Sequence, residues 1–181
     1  LVFISTDQVY PDSQGPHVEE DVAPVNQYGA SKLAGEAAAL NHPNTIVLRA
    51  NLFGPSQTPG RQSLSDFMYQ GFKEQKPIKL FRDVWFSPLH MQTLAEMAME
   101  LALSEHCGAF NIGCRDGMSK MDFGYAIARH FGFSTGNAEE VESSDVAGRA
   151  QRPKDLRMNT RKLESALRRK MPTLLEEVSK L

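Results

Sequence analysis

Leu1-Val2-Phe3-Ile4-Ser5-Thr6-Asp7, followed by a polar loop to Asn26, by Gln27–Leu40 and by Thr45-Ile46-Val47-Leu48, is the stretch whose reading decides the fold. Leu1 to Ile4 is an unbroken apolar run, the pattern of a strand buried on both faces as in parallel sheets. Residues 27–40 carry Ala30, Leu33, Ala34, Ala37 and Ala38 at helical spacing, and Asn41 to Asn44, with Pro43 among them, stop the helix. Thr45 to Leu48 is a second short buried strand. Strand, loop, helix, strand in that order predicts a βαβ crossover. The fold class is therefore α/β, the end of a doubly wound parallel sheet. The loop 7–26 is long, and long loops in compact domains tend to be functional.

Beyond the crossover, Gly54-Pro55 and Pro59-Gly60 break the chain, and its character changes near residue 60. Leu64–Gln75, Met91–Leu103 and Lys120–Phe131 read as helices, with Phe123, Ile127 and Phe131 at intervals of four in the last. Ile78–Phe81 and Phe110–Gly113 read as strands. Arg161–Arg169 and Thr173–Lys180 read as terminal helices, the second opened by Pro172. The expected organisation is residues 1–60 as the C-terminal part of a nucleotide-binding sheet and residues 61–181 as a smaller α/β substrate portion. An apolar strand at the first residue, with no polar lead-in, further suggests the C-terminal part of a longer protein.

Composition excludes several classes. Of 181 residues, 41% are apolar and 23% charged, ordinary for a globular chain and unlike a disordered one. The net charge of −2 offers no general attraction for nucleic acid, and no apolar run approaches the roughly 18 residues of a membrane span. Cys107 and Cys114 are too few for a disulfide framework, so a reducing cytoplasm is expected. With His106 they form no zinc pattern, and no metal is expected.

Three features carry chemistry. Ser5-Thr6-Asp7 ends the opening strand, and in open α/β sheets ligands bind outside the carboxyl ends of strands; as an isolated motif it reads equally as a turn. Tyr28 and Lys32, four apart, share one helix face. An adjacent ammonium favours a phenolate, drawing a tyrosine down from about 10 toward useful acid–base range. Tyr69 and Lys73 have the same spacing but follow no strand-end hydroxyl, so they read as an ordinary surface pair. The third feature is the conjunction: Thr6, then Tyr28 and Lys32, then Asn51 with Gly54-Pro55, all at one edge of one sheet.

That order resembles the Ser/Thr–Tyr–Lys triad of the extended short-chain dehydrogenase/reductase family, built on a Rossmann-type sheet. Ile4-Ser5-Thr6-Asp7-Gln8-Val9-Tyr10, Tyr28-Gly29 with Ser31-Lys32-Leu33-Ala34-Gly35-Glu36, Asn51-Leu52-Phe53-Gly54-Pro55 and Arg152-Pro153 with Arg157-Met158-Asn159 resemble its dTDP-4-dehydrorhamnose reductase (RmlD-like) branch. The resemblance implies NADPH- or NADH-dependent reduction of a 4-keto nucleotide-sugar such as dTDP-4-dehydrorhamnose. It implies Thr6, Tyr28 and Lys32 as catalytic residues; Ser5, Tyr28 and Lys32 against the cofactor; and Thr6, Gln8, Asn51 and Arg152 against the substrate. An opening strand without a partner on one side would also allow pairing with a second copy, so a homodimer is a further expectation. The family's Gly-rich pyrophosphate turn has no counterpart here, so the chain by itself is expected to be inactive. Gln8 and Leu52 stand where the reductases commonly carry aromatic residues, and both bear on sugar specificity. Rival readings are an epimerase of the same family and a non-catalytic regulatory subunit like the β subunit of methionine adenosyltransferase; Gln8, being no acid, disfavours a dehydratase.

Charge is uneven. Arg149 to Lys170 holds nine basic residues against Asp155 and Glu164, a local +7, leaving −9 for the remainder. A basic segment suits the two phosphates of a nucleotide-sugar, with Arg as bidentate donor; for Arg168, Arg169 and Lys170 a solvated helix face is the simpler reading. His90 reads as a cap or packing residue, and Trp85 as either pocket lining or core.

Overall fold

The computed structural model describes residues 1–146, 148 and 150–181. Its central sheet is parallel and ordered β1-β2-β7, from β1 (Val2–Thr6), β2 (Ile46–Ala50) and β7 (Gly108–Ile112). Register runs from Val2 opposite Ile46 to Thr6 opposite Ala50, and from Ile46 opposite Gly108 to Ala50 opposite Ile112. Every residue of β2 is buried, as a central parallel strand requires. Helix α1 (Gln27–Leu40) is the expected crossover between β1 and β2. Asn26 caps it, its side chain accepting from the Gly29 amide at 2.8 Å.

The remaining elements are β3 (Leu52–Phe53), α2 (Leu64–Lys73), β4 (Ile78–Phe81), β5 (Trp85–Phe86), β6 (Leu89–His90), α3 (Met91–Ala102), β8 (Met118–Ser119), α4 (Lys120–Phe131), β9 (Ala138–Val141), β10 (Asp155–Leu156), α5 (Arg161–Leu167) and α6 (Leu174–Val178). β10-β5-β8 form a small mixed sheet, and β3–β6 and β4–β9 pair in parallel. Helix ends carry their chemical signals: a Ser63–Asp66 capping box on α2, and left-handed Gly132 (φ 69°) closing α4. One hydrophobic cluster joins Leu48, Phe53, Phe72, Phe86, Phe123 and Leu174, and β7 completes the sheet of β1 and β2, so the portions either side of residue 60 share a core.

Three placements go beyond the sequence reading. Among these residues β1 pairs with β2, with Ser5 and Thr6 buried and Leu1 and Ile4 exposed. On α1, Ala30, Ala34, Ala37 and Ala38 are exposed, and the helix buries Gly29 and Glu36. Pro172 lies before the helix it was expected to open, because Thr173 is the cap of α6. The short strands β3, β5, β6, β8 and β10 and the four-residue β9 left no periodicity to read.

Candidate active site

Thr6 is the last residue of β1, and its side chain accepts from the Gln8 amide at 3.2 Å, capping a single 3-10 turn over Asp7–Val9. That turn sits under the N-terminal end of α1. Gly29 allows the approach: a Cβ there would lie 2.2 Å from the Gln8 carbonyl oxygen. The same helix end carries Tyr28, a residue 56% exposed. One turn on, the Lys32 ammonium donates to the Ile4 carbonyl at 2.6 Å and lies 4.7 Å from the Phe3 ring centre. Lys32 is thereby pinned to the strand that ends in Thr6.

These groups line a cavity of about 630 Å³ outside the carboxyl ends of β1 and β2, where parallel sheets place ligands. Ser5, Thr6, Gln8, Tyr28, Lys32, Asn51 and Arg152, all seven residues singled out from the sequence, are on its wall. Ser5 is there with its hydroxyl already committed, donating to Glu36. Asn51 sits at the junction of β2 and β3, and its amide donates to Asp7 Oδ2 at 2.5 Å. Asp7 is a wall residue that the sequence reading left without a site role. Its carboxyl is buried, which raises its pKa, while hydrogen bonds from Asn51 and Thr6 and the Lys120 charge oppose the rise.

A buried polar network holds the floor of the site. Arg49 on β2 forks onto Glu36 of α1, with 2.7 Å between Nη2 and Oε2, and also donates to the Tyr10 hydroxyl at 3.1 Å. Tyr10 donates in turn to Asn111 on β7. Glu36 follows Lys32 by four residues, so Tyr28, Lys32 and Glu36 occupy one helix face. The network ties the face that carries Tyr28 to all three strands of the central sheet.

A second cavity, of about 520 Å³, shares Gln8, Asn51 and Arg152 with the first. Its walls are largely apolar and include Phe67, Phe81 and Phe86, with Lys79 and Lys120 beside Arg152. Phe67, Lys79 and Lys120 were not singled out from the sequence. The only local sign was the Ser119 cap, which places Lys120 at a helix start.

The basic segment is mostly spent elsewhere. Lys154 pairs with Asp83, Arg157 with Asp155, Arg169 with Glu100 and Lys170 with Glu164. Arg149 lies outside the described residues; among the described basic residues of the segment, Arg152 alone lines the main cavity. Trp85 lines neither cavity and packs its ring under Arg157, 5.0 Å away. His90 is the cap of α3. Cys114 is buried and donates to the Pro88 carbonyl, while Cys107 is exposed. Among the described residues no group of three His, Cys, Asp or Glu side chains is placed for a metal ion, and no helix is long and apolar enough to cross a membrane.

Residues 1–181 match the family described as the RmlD substrate binding domain. The chain is 30% identical over 175 residues to methionine adenosyltransferase 2 subunit beta of Rattus norvegicus, covering 91% of this chain and 52% of that protein. It is 29% identical over 161 residues to dTDP-4-keto-6-deoxy-D-glucose reductase of Streptomyces niveus, covering 85% and 54%. Among solved structures, dTDP-4-dehydrorhamnose reductase (rfbD) from Bacillus anthracis str. Ames in complex with NADP superposes with a TM-score of 0.88 at 25% identity, over 99% of this chain and 63% of that one. The chain spans about half the length of the curated relatives it matches.

Proposed function

The chain belongs to the RmlD substrate binding domain family, and on that premise we propose that it carries the catalytic and sugar-binding part of a nicotinamide-dependent reductase of 4-keto nucleotide-sugars. The observation that carries this reading is the lining of one strand-end cavity by Ser5, Thr6, Gln8, Tyr28, Lys32, Asn51 and Arg152. The donor set suits the nicotinamide–ribose end of the cofactor: a phenol, an ammonium and a hydroxyl face one space. A Gly-rich turn for the pyrophosphate is not among these 181 residues.

When bound, the nicotinamide supplies hydride to the sugar ketone. Tyr28 donates a proton to the carbonyl oxygen as negative charge develops there. Thr6, once its O–H is turned from Asp7 to the substrate, donates a hydrogen bond to the same oxygen at the place of developing charge. Lys32, held by the Ile4 carbonyl, offsets the charge left on the Tyr28 phenolate and reaches the ribose hydroxyls. Asn51 and Gln8 orient the sugar ring. Arg152, on the wall common to both cavities, meets the diphosphate with Lys120, and the aromatic walls of the second cavity take the base.

Tyr28→Phe tests the reading. In the full-length protein, turnover of a dTDP-4-keto-6-deoxy sugar with NADPH should fall by about 10² to 10⁴, the usual worth of a positioned proton donor, with nucleotide-sugar binding retained. Turnover equal to the parent's refutes the acid role. The 30% identity to a methionine adenosyltransferase β subunit favours one second reading, a regulatory subunit that keeps the triad without turnover. A parent that binds the nucleotide-sugar but does not reduce it supports that alternative.

A further inference from the structure

Thr6 has one proton to give, and in this structure it gives it to Asp7: Thr6 Oγ1 donates to Asp7 Oδ1 at 3.2 Å. The same oxygen accepts from the Gln8 amide, also at 3.2 Å. A hydroxyl has one donor and two acceptor positions, so a Thr6 bonded in this way has no proton for a substrate. The Asp7 contact is loose, since hydroxyl-to-carboxylate bonds are typically about 2.5–2.7 Å. The other carboxyl oxygen is tightly held by the Asn51 amide. Asp7 is fully covered, yet it lines the cavity.

We propose, on the reductase reading above, that Asp7 is a positioning residue that sets the direction of the Thr6 O–H bond. A charged Asp7 draws the Thr6 proton to itself. A protonated Asp7 gives its own proton to the free acceptor position of Thr6 Oγ1, and the Thr6 proton then turns to the substrate oxygen. Thr6 accepts twice and donates once in that state, and every polar atom of the pair is satisfied. Burial, which favours the neutral carboxyl, works in the same direction. The groups facing Asp7 are Gln8 from its own turn, Asn51 from the β2–β3 junction and the Lys120 charge at the start of α4; Tyr28, Lys32 and Arg152 stand on the other walls.

Two measurements on the natural full-length protein test this. The first needs no turnover: a carbon-13 NMR titration of the Asp7 carboxyl. Its midpoint should lie above the ordinary 3.8 and should move higher still in Thr6→Val, because the bond lost to the charged carboxylate is about twice as strong as the neutral bond lost to the protonated acid. An ordinary midpoint, or one unmoved by Thr6→Val, overturns the proposal whatever the protein's activity. The second is the pH profile of kcat with a dTDP-4-keto-6-deoxy sugar and NADPH. The parent should lose rate as pH rises through that midpoint. Asp7→Asn, whose amide donates to Thr6 at every pH, should lose that limb of the profile. Asp7→Leu, which cannot donate, should lower kcat on the order of 10- to 100-fold, the cost of a misplaced catalytic group, with little change in KM. An unchanged limb in Asp7→Asn overturns the positioning role, as does abolished turnover at every pH, which would make Asp7 itself the proton donor. A parent without turnover refutes the reductase reading, and the NMR titration then decides the Asp7–Thr6 coupling by itself.

Discussion

Two Tyr-x-x-x-Lys pairs with the same spacing meet different fates. Tyr69 packs edge-on against Phe131 and Phe133, with the Lys73 ammonium 5.4 Å from its ring centre, and serves as a hydrophobic bracket. Tyr28 stands in the cavity wall, and its Lys32 is bound to a strand carbonyl. The buried Glu36–Arg49 pair nearby is a stability hazard if halved. Arg49→Met alone should destabilise by about 3–5 kcal/mol, because it strands a buried carboxylate. Adding Glu36→Leu should recover much of that loss, although the Ser5 hydroxyl then loses its acceptor; urea unfolding of both variants is the check. Asp7 makes a pH prediction of definite sign. Its carboxyl is raised in the folded state, so between pH 3.8 and its folded value the native protein holds the extra proton. Stability from this residue is present at low pH and lost as pH rises through the folded value. The stability difference between parent and Asp7→Asn should therefore shift against the parent over that window in paired urea titrations; a constant difference would contradict the raised value.

At the scale of elements, α1 is the decisive part. Its helical spacing was legible from sequence, and its bounds match the expected 27–40. The face it buries was not legible, because alanines are compatible with either side of a helix. The buried face is set by Gly29 against the 3-10 turn and by Glu36 reaching Arg49 across the sheet. Gly29→Ala should force α1 away from Gln8, costing roughly 1–3 kcal/mol as overpacking does. It should also depress turnover beyond what the stability loss explains, because Tyr28 moves with the helix. Thermal unfolding and kcat measured on one preparation of the full-length protein test both; a variant matching its parent in each would mean that the turn yields instead of the helix. β1 is an element read correctly in kind: it pairs in parallel with β2 and is buried where Thr6 enters the site.

At the scale of the whole molecule, the proposed reading assigns one end of the site to a nicotinamide and the other to a sugar-nucleotide, while a Gly-rich turn between a strand and a helix for a pyrophosphate is not among these 181 residues. The 181-residue chain by itself should accordingly show no micromolar binding of NADPH in calorimetric titration. Such binding by a monomer would mean that backbone elsewhere in the chain cradles the phosphates. The sequence by itself determined what is local and periodic: the crossover order, the helix bounds, and the types of residue gathered at strand ends. Those follow from spacings of two and of three to four residues and from where strands must end. Tertiary structure alone decided which charges are available. Of the basic run between Arg149 and Lys170, four described members are tied to Asp83, Asp155, Glu100 and Glu164, and Arg152 lines the main cavity. It also decided that Asp7 is buried between Asn51 and Thr6, and that Lys120 shares a wall with Arg152. A side chain's partner and its exposure to water depend on residues brought from tens of positions away, and burial, not residue type, decides whether a carboxyl is a solvated charge or a proton carrier.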